Sequence, residues 1–232
     1  WQPWLDLFTE HGYTATAPGW PGDAETVAAT RANADSLNDV GIDQIAEHSA
    51  ALIDAAGGIR PVVIGHSFGG LIAQKLLATG HDAAAIAIDP APIKGVKSLP
   101  LAQLRSAFPV LGNPANRHRT VSLSPKQFHY AFGNTLTEAE SDALHERWTI
   151  PGPGRPLFED AAANFVTGSP AAVDIRLVDR GPLLLTSGTA DHTVPLKVTK
   201  EVFGRYGKGG SDTEFHEFEG RGHSLTIAAG WH

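Results

Sequence analysis

The segment between Pro61 and Gly80 constrains the fold of this chain more than any other. Residues Pro61–Ile64 are apolar at every position, as expected of a strand buried on both faces of a parallel sheet. Gly65–Gly69 follow with the pattern G-x-S-x-G, and apolar residues at helical spacing continue until Gly80. Glycines on both sides allow the close backbone approach that a sharp turn demands. The segment therefore predicts a strand, a tight turn that presents Ser67, and a helix.

The rest of the chain repeats this alternation of strands and helices. Apolar and β-branched runs predict strands at Tyr13–Ala17, Ala84–Ile88, Leu183–Leu185 and Thr213–Phe218. Apolar residues at three- and four-residue steps predict helices at Trp4–Glu10 and Ile42–Ala56, and a further helix opening at Pro195. The alternation predicts an α/β fold with a doubly wound, mainly parallel sheet. In such a fold, ligands bind at the carboxyl ends of the strands.

The pattern becomes purely helical between Pro90 and Arg180. Ser124–Gln127 and Thr137–Glu140 are both capping-box starts, and Pro156–Phe165 has the pattern of a third helix. We therefore predict an α/β core formed by residues 1–89 and 181–232, with residues 90–180 as a helical insertion.

Composition excludes several classes of function. The chain has 18 Lys and Arg residues against 25 Asp and Glu, a net charge of -7, so it lacks the positive charge that would hold a nucleic acid. It has no cysteine, which removes disulfides, thiolate catalysis and cysteine metal sites. Because the histidines are scattered and no HExxH pattern occurs, we expect no metal site. No apolar run approaches the roughly 20 residues of a membrane helix.

The serine of the G-x-S-x-G turn is a poor nucleophile until a base takes its proton, and that base needs an orienting acid. In a fold of this type, the expected chain order is serine, acid, histidine. Asp191 follows the Leu183–Leu185 strand, and His223 lies in a glycine-flanked loop after the Thr213–Phe218 strand. We predict Ser67 as nucleophile, Asp191 as acid and His223 as base. The backbone N–H of Phe68 would bind the developing oxyanion.

Alternatives remain for the acid and the base. Asp191 could instead cap the helix that opens at Pro195, and Asp89, at the end of another strand, is the alternative acid. Among the other histidines, His216 falls inside a predicted strand and His232 at the terminus. Three more are expected to be structural or surface residues: His66, His81 and His192.

Four motifs together resemble the α/β-hydrolase superfamily: Gly65–Gly70, Ala17–Gly22, Gly188–Asp191 and Gly222–Ser224. Within it, the chain is similar to small capped esterases and lipases related to cofactor-free haloperoxidases. Ser67 argues against the similar dehalogenase and epoxide hydrolase branches, which use an aspartate at this position. The resemblance implies a hydrolase of carboxylic esters that forms an acyl-enzyme, needs no cofactor, and carries the helical insertion as a cap.

The resemblance implies a small or medium-sized ester as substrate and a monomer or homodimer. The same residues would also serve a lactonase or a cofactor-free perhydrolase, and some similar proteins act as ligand sensors. The histidine of the turn and several aromatic residues are candidates for the substrate pocket: His66, Trp20, Phe128, Phe132 and Trp148. Most aromatic residues of the insertion are expected to pack its helices together.

The chain departs from the family at both ends. Family members carry further strands and a His-Gly loop ahead of the position of Trp1, and that loop donates the second oxyanion N–H. His11–Gly12 follows a predicted helix, so it does not replace that loop. The chain also stops at His232, where a last helix would begin. We therefore expect a sequence truncated at both ends, with the second donor upstream of Trp1. The expected location is cytoplasmic.

Overall fold

The computed structural model describes residues 1–207 and 212–232. The helices are α1 (Gln2–Glu10), α2 (Val27–Ala32), α3 (Ile42–Ala55), α4 (Phe68–Thr79), α5 (Leu101–Leu111), α6 (Pro125–Ala131), α7 (Glu138–Trp148), α8 (Arg155–Ala161) and α9 (Leu196–Tyr206). The strands are β1 (Val62–His66), β2 (Ala84–Ile88), β3 (Thr120–Val121), β4 (Gly152–Pro153), β5 (Leu183–Gly188) and β6 (Thr213–Phe218).

A four-stranded parallel sheet organises the fold, with the strand order β1-β2-β5-β6. In its register Val62 lies opposite Ala84, Ala85 opposite Leu183, and Leu183 opposite Thr213. Parallel neighbours require crossover connections, which α4 supplies between β1 and β2 and α9 between β5 and β6. The α/β class with a parallel sheet is therefore confirmed.

The hydrophobic core lies between this sheet and the helices α3, α4 and α9. α4 packs on β1 and β2, α3 packs on α4, and α9 packs on β5 and β6. The apolar spacing that predicts α3 and α4 places their buried side chains on these faces. Fully or almost fully buried members of the core are Ile42, Ile45, Leu71, Leu77, Leu183, Leu185, Val198 and Val202.

Two strand predictions need correction. Tyr13–Ala17 forms no strand: the segment is mostly exposed and pairs with none of the described strands, and a β-run needs a partner to take its backbone groups. The strand predicted at Pro61–Ile64 exists as β1, but it lies at the edge of the sheet rather than buried on both faces. Val62 is consequently 59% exposed.

The segment between Pro90 and Arg180 is not purely helical, because the short strands β3 and β4 pair antiparallel within it. Two-residue strands are too short to leave a periodic signal in a sequence. α6 and α7 begin at the predicted capping boxes, whereas the helix predicted at Pro156–Phe165 ends at Ala161, where bonds of three-residue span replace the helical ladder. α5 was not predicted. The division into core and insertion stays a prediction.

Among the described residues, no helix is both long and apolar enough to cross a bilayer.

The two glycines of the G-x-S-x-G turn have different surroundings, and substitution should separate them. A Cβ on Gly65 would lie 2.0 Å from the carbonyl oxygen of Gly69, which is backbone and cannot swing away. A Cβ on Gly69 meets nothing within 4 Å inside a helix. We expect Gly65→Ala to lower the free energy of unfolding by about 3 kcal/mol or more. Gly69→Ala should leave it unchanged or raise it by up to about 1 kcal/mol.

Denaturant unfolding followed by circular dichroism measures both variants against the parent chain. Equal stability of the two variants would contradict the packing described for this turn.

Candidate active site

The carboxyl ends of the four parallel strands gather four polar residues at one edge of the sheet. Ser67 directly follows β1, Asp89 directly follows β2, Asp191 lies three residues after β5, and His223 lies in the loop after β6. Parallel strands point their carboxyl ends to the same side, so residues far apart in sequence meet there. This edge is the candidate active site.

Ser67 occupies a strained turn between β1 and α4, with φ 57° and ψ -121°. Non-glycine residues rarely adopt positive φ, and such strain is typical of functional sites. Two hydrogen bonds tie the turn to β2 and to the segment that follows β2. The Ser67 N–H donates to the carbonyl of Ile88 at 2.9 Å, and the Ser67 carbonyl accepts from the N–H of Ala91 at 2.9 Å. The predicted turn is thus present and held from both sides.

Phe68 is the first residue of α4. The first N–H groups of a helix have no acceptor inside it and lie at the positive end of its dipole. The Phe68 N–H is one of these groups and follows Ser67 directly, and its role as oxyanion donor stays a prediction.

Asp191 and His223 form a buried hydrogen-bonded pair. The Nδ1 of His223 lies 2.6 Å from Oδ2 of Asp191, and both side chains are fully buried. Burial alone would lower the pKa of His223, but the charge of Asp191 and its hydrogen bond raise the pKa above its usual value. Burial acts in the opposite direction on Asp191, yet His223 and backbone N–H groups hold its pKa below the usual value. The pair favours an ionised Asp191.

The second oxygen of Asp191 is also occupied. Oδ1 accepts hydrogen bonds from the N–H groups of Thr193 at 2.6 Å and Val194 at 2.9 Å, in the turn that leads to Pro195 and α9. The alternative that Asp191 caps α9 is therefore wrong, because the N-cap of α9 is Pro195 and no side chain caps that helix. One oxygen organises the turn before α9, and the other faces His223.

The structure does not join Ser67 to His223 by a hydrogen bond. Within residues 1–207 and 212–232, the Nε2 of His223 is buried and has no hydrogen-bond partner. Catalytic hydrogen bonds are often open in the free protein and tighten when substrate binds. Nε2 is the nitrogen opposite the one that Asp191 engages, so it is the nitrogen available to receive a proton.

Two ring contacts flank His223. The ring centroid of His66 lies 4.5 Å from that of His223, and Phe132 meets His223 edge to face at 4.8 Å. Burial, followed by the influence of His223, lowers the pKa of His66 to about 3, so His66 is neutral at ordinary pH. Because His66 precedes Ser67 directly, its contact with His223 brings the turn and the histidine loop together.

Asp89 belongs to the same cluster. It has 0% exposure and a positive φ of 41°, and its Oδ1 accepts a hydrogen bond of 2.7 Å from the N–H of Gly188. Burial and then the charge of Asp191 raise its pKa well above the usual value. Sequence reasoning treated Asp89 and Asp191 as rivals for one role. The structure places both carboxyl groups at the site, with Asp191 on the histidine.

The other predicted pocket residues differ in how close they lie to His223. Phe128 stacks on Phe132 at 5.1 Å, so it supports a ring that contacts His223. Trp20 packs partly buried against the hydrophobic core. The ring of Trp148 carries the Arg147 guanidinium 4.6 Å from its centroid. Of the five predicted pocket residues, His66 and Phe132 are the two whose rings contact His223.

One group in the described part of the chain has the composition of a metal site. Ligand atoms of His66, Asp89 and His223 lie within 4.8 Å of one another. His223 is already engaged by Asp191 through Nδ1. The same three side chains are titratable groups of the candidate active site, and we interpret the cluster in those terms.

A parallel sheet with a strained serine turn after one strand and a buried His–Asp pair after two others defines a protein of the α/β hydrolase class. The model of the "Alpha/beta hydrolase family" matches residues 1–230. The chain belongs to this family. No curated protein matches its sequence.

Solved structures share the fold. The monoacylglycerol lipase of Paleococcus ferrophilus is 20% identical with a TM-score of 0.60, covering 98% of this chain and 81% of that one. An extracellular alpha/beta-hydrolase from a Paenibacillus species is 17% identical with a TM-score of 0.64, covering 99% and 88%. The esterase RhEst1 from Rhodococcus sp. ECU1013 is 24% identical with a TM-score of 0.54, covering 82% and 70%.

The two buried histidines should titrate far apart. We expect the pKa of His223 to lie above that of an ordinary imidazole, and His66 to stay neutral down to about pH 3. Replacing Asp191 by Asn should lower the pKa of His223, because burial persists while the stabilising charge is lost. Carbon-13 NMR of labelled imidazoles measures both values, and the His66→Asn and His223→Asn variants assign the signals. A His223 pKa unaffected by Asp191→Asn would contradict the coupling.

Proposed function

We propose that this chain is a serine esterase in which Ser67 is the nucleophile, His223 the base and Asp191 the orienting acid. The observation that carries the proposal is the buried His223–Asp191 hydrogen bond of 2.6 Å, located at the same sheet edge as the strained serine turn. A buried pair of this kind has a raised proton affinity on the histidine and a second nitrogen free to act.

In the first step, Ser67 Oγ attacks the ester carbonyl carbon while its proton moves to His223 Nε2. The C=O π electrons move to oxygen, and the Phe68 N–H stabilises the resulting oxyanion. Asp191 keeps Nδ1 protonated and stabilises the imidazolium. When the oxyanion collapses, the C–O bond to the alcohol breaks and His223 donates its proton to that alcohol. The acid part stays bound to Ser67 as an ester.

In the second step, water replaces the alcohol. His223 Nε2 takes a proton from water as the oxygen attacks the acyl carbon. Collapse of the second oxyanion breaks the bond to Ser67 Oγ, and His223 returns the proton to that oxygen. The carboxylic acid leaves, and the protein regains its starting protonation state without a cofactor.

We further propose that the predicted insertion acts as a cap over this site. Three hydrogen bonds join the end of α6 and the loop after it to the loops of the acid and base. Ser224 N–H donates to the Phe132 carbonyl at 3.2 Å, Thr193 Oγ1 to the Ala131 carbonyl at 2.7 Å, and Asn134 Nδ2 to the Ala190 carbonyl at 2.8 Å. The Phe132 ring beside His223 supplies an apolar wall. Small or medium-sized esters suit such a covered site.

Removal of the nucleophile tests the esterase proposal. Ser67→Ala should lower kcat/KM for p-nitrophenyl esters by about 10⁴- to 10⁶-fold and abolish labelling by a fluorophosphonate, because both need Oγ. Ser49→Ala is the matched control: that hydroxyl donates to the Ile45 carbonyl within α3 and should be dispensable. A series of acyl lengths, with lactones included, identifies the preferred substrate. Labelling that persists in Ser67→Ala would refute the assignment.

The pH dependence of the same reaction tests the role of His223. The base must be neutral in the free protein, so kcat/KM should fall as the pH drops through the pKa of His223, which lies above that of an ordinary imidazole. The hydrolysis rate at low substrate concentration, measured across the pH range, gives this decrease, which is the acid limb of the pH profile. An acid limb at the pKa of an ordinary carboxyl group would show that another residue is the base.

A further inference from the structure

The mechanism above leaves one buried carboxyl group at the site without a role. Asp89 has no exposed surface, and its Oδ1 accepts the N–H of Gly188 at 2.7 Å. Its Oδ2 is also buried, and no donor from the described residues reaches it. A buried carboxylate oxygen without a donor is costly, because it has lost water and gained nothing in exchange. Protonation of that oxygen removes the cost.

The charge of Asp191 makes ionisation of Asp89 still less favourable, whereas His223 acts in the opposite direction. The Asp191 carboxyl group interacts with that of Asp89, and nitrogen atoms of His223 and His66 lie within 4.8 Å of it. Asp191 is ionised through its bond to His223, and His66 is neutral. Two adjacent buried carboxyl groups share one proton rather than carry two negative charges.

We propose that Asp89 is a positioning residue that stays protonated and donates its Oδ2–H to the Asp191 carboxylate, thereby acting on His223 through Asp191. This inference rests on the proposed function. The cluster then carries one negative charge, and that charge is spread over Asp191 and its donors. Those donors are the N–H groups of Thr193 and Val194, the ring of His223 and the Asp89 hydroxyl.

The backbone supports a fixed carboxyl group at this position. The N–H of Asp89 donates to the Thr186 carbonyl at 2.9 Å, and the φ of 41° directs the chain sharply away from the end of β2. Asp and Asn are the non-glycine residues that best tolerate positive φ. Asn also has the shape of a protonated Asp, with one acceptor for Gly188 and an N–H₂ for Asp191.

The sign of a pH shift distinguishes a neutral Asp89 from an ionised one. If Asp89 is a neutral donor, Asp89→Ala removes a hydrogen bond from Asp191, so Asp191 holds the His223 proton more strongly. The acid limb of kcat/KM should then move up by about 0.5 pH unit, with kcat/KM falling about 100-fold. Asp89→Asn should keep both the position of the acid limb and kcat/KM close to the values of the parent chain. If Asp89 is ionised, its removal takes away a negative charge and the limb moves down, which overturns the proposal.

A second measurement is independent of hydrolysis. The infrared difference spectrum of the parent chain minus Asp89→Asn, recorded at pH 7, should contain the C=O band of a protonated carboxylic acid. Asp82 and Asp160, whose pKa values burial raises to about 7, are present in both proteins and cancel. Carboxylate bands in that difference would overturn the proposal. Asp89→Ala provides the second reference spectrum if Asp89→Asn does not fold, as judged by circular dichroism.

The two proposals fail in different ways. A protonated Asp89 band in a chain that shows no Ser67-dependent hydrolysis would refute the esterase assignment and leave the protonation of Asp89 intact. Ser67-dependent hydrolysis with an ionised Asp89 would refute the proposed protonation of Asp89 and leave the esterase assignment intact.

Discussion

The buried hydrogen bond between His223 and Asp191 is the interaction on which the rest of the site depends. An isolated buried carboxylate is strongly unfavourable, so Asp191 is stable as an anion only because every oxygen has donors. Two of these donors, the N–H groups of Thr193 and Val194, come from the turn before α9, and the third is the imidazole. The local fold around this turn and the chemistry of the site are therefore stabilised by the same contacts.

The parallel sheet explains why this pair can form at all. β5 and β6 are neighbours in parallel register, with Ser187 opposite Glu217 and Gly188 opposite Phe218, so the loops after both strands start side by side. At Gly188 the approach is so close that a Cβ would lie 2.4 Å from the Arg221 carbonyl oxygen. Glycine at this position lets the histidine loop reach across the strand end towards Asp191.

The spacing of apolar residues predicted those helices and strands that depend only on the residues of their own segment. α3 has apolar residues at helical spacing, and β2 is apolar throughout, so both were predicted within a residue of their bounds. Tyr13–Ala17 has an equally good β-pattern, yet a strand also needs a neighbour, which no property of the segment itself specifies. The two-residue strands β3 and β4 depend wholly on tertiary pairing. α5 could not be predicted either, because its apolar residues do not all face a core: Leu101 and Phe108 are largely exposed.

Ser67, Asp191 and His223 are predicted as catalytic because each stands in a loop after a strand, in the chain order that the fold demands. Asp89 meets the same criterion, so position favours Asp191 as the partner of the histidine but leaves Asp89 as the alternative. The hydrogen bonds show that Asp191 faces it: Asp191 has three donors, one of them His223, whereas Asp89 has the single donor Gly188. Charge in a buried cluster is a property of the assembled fold, so pairs of carboxyl groups at strand ends have to be assigned together.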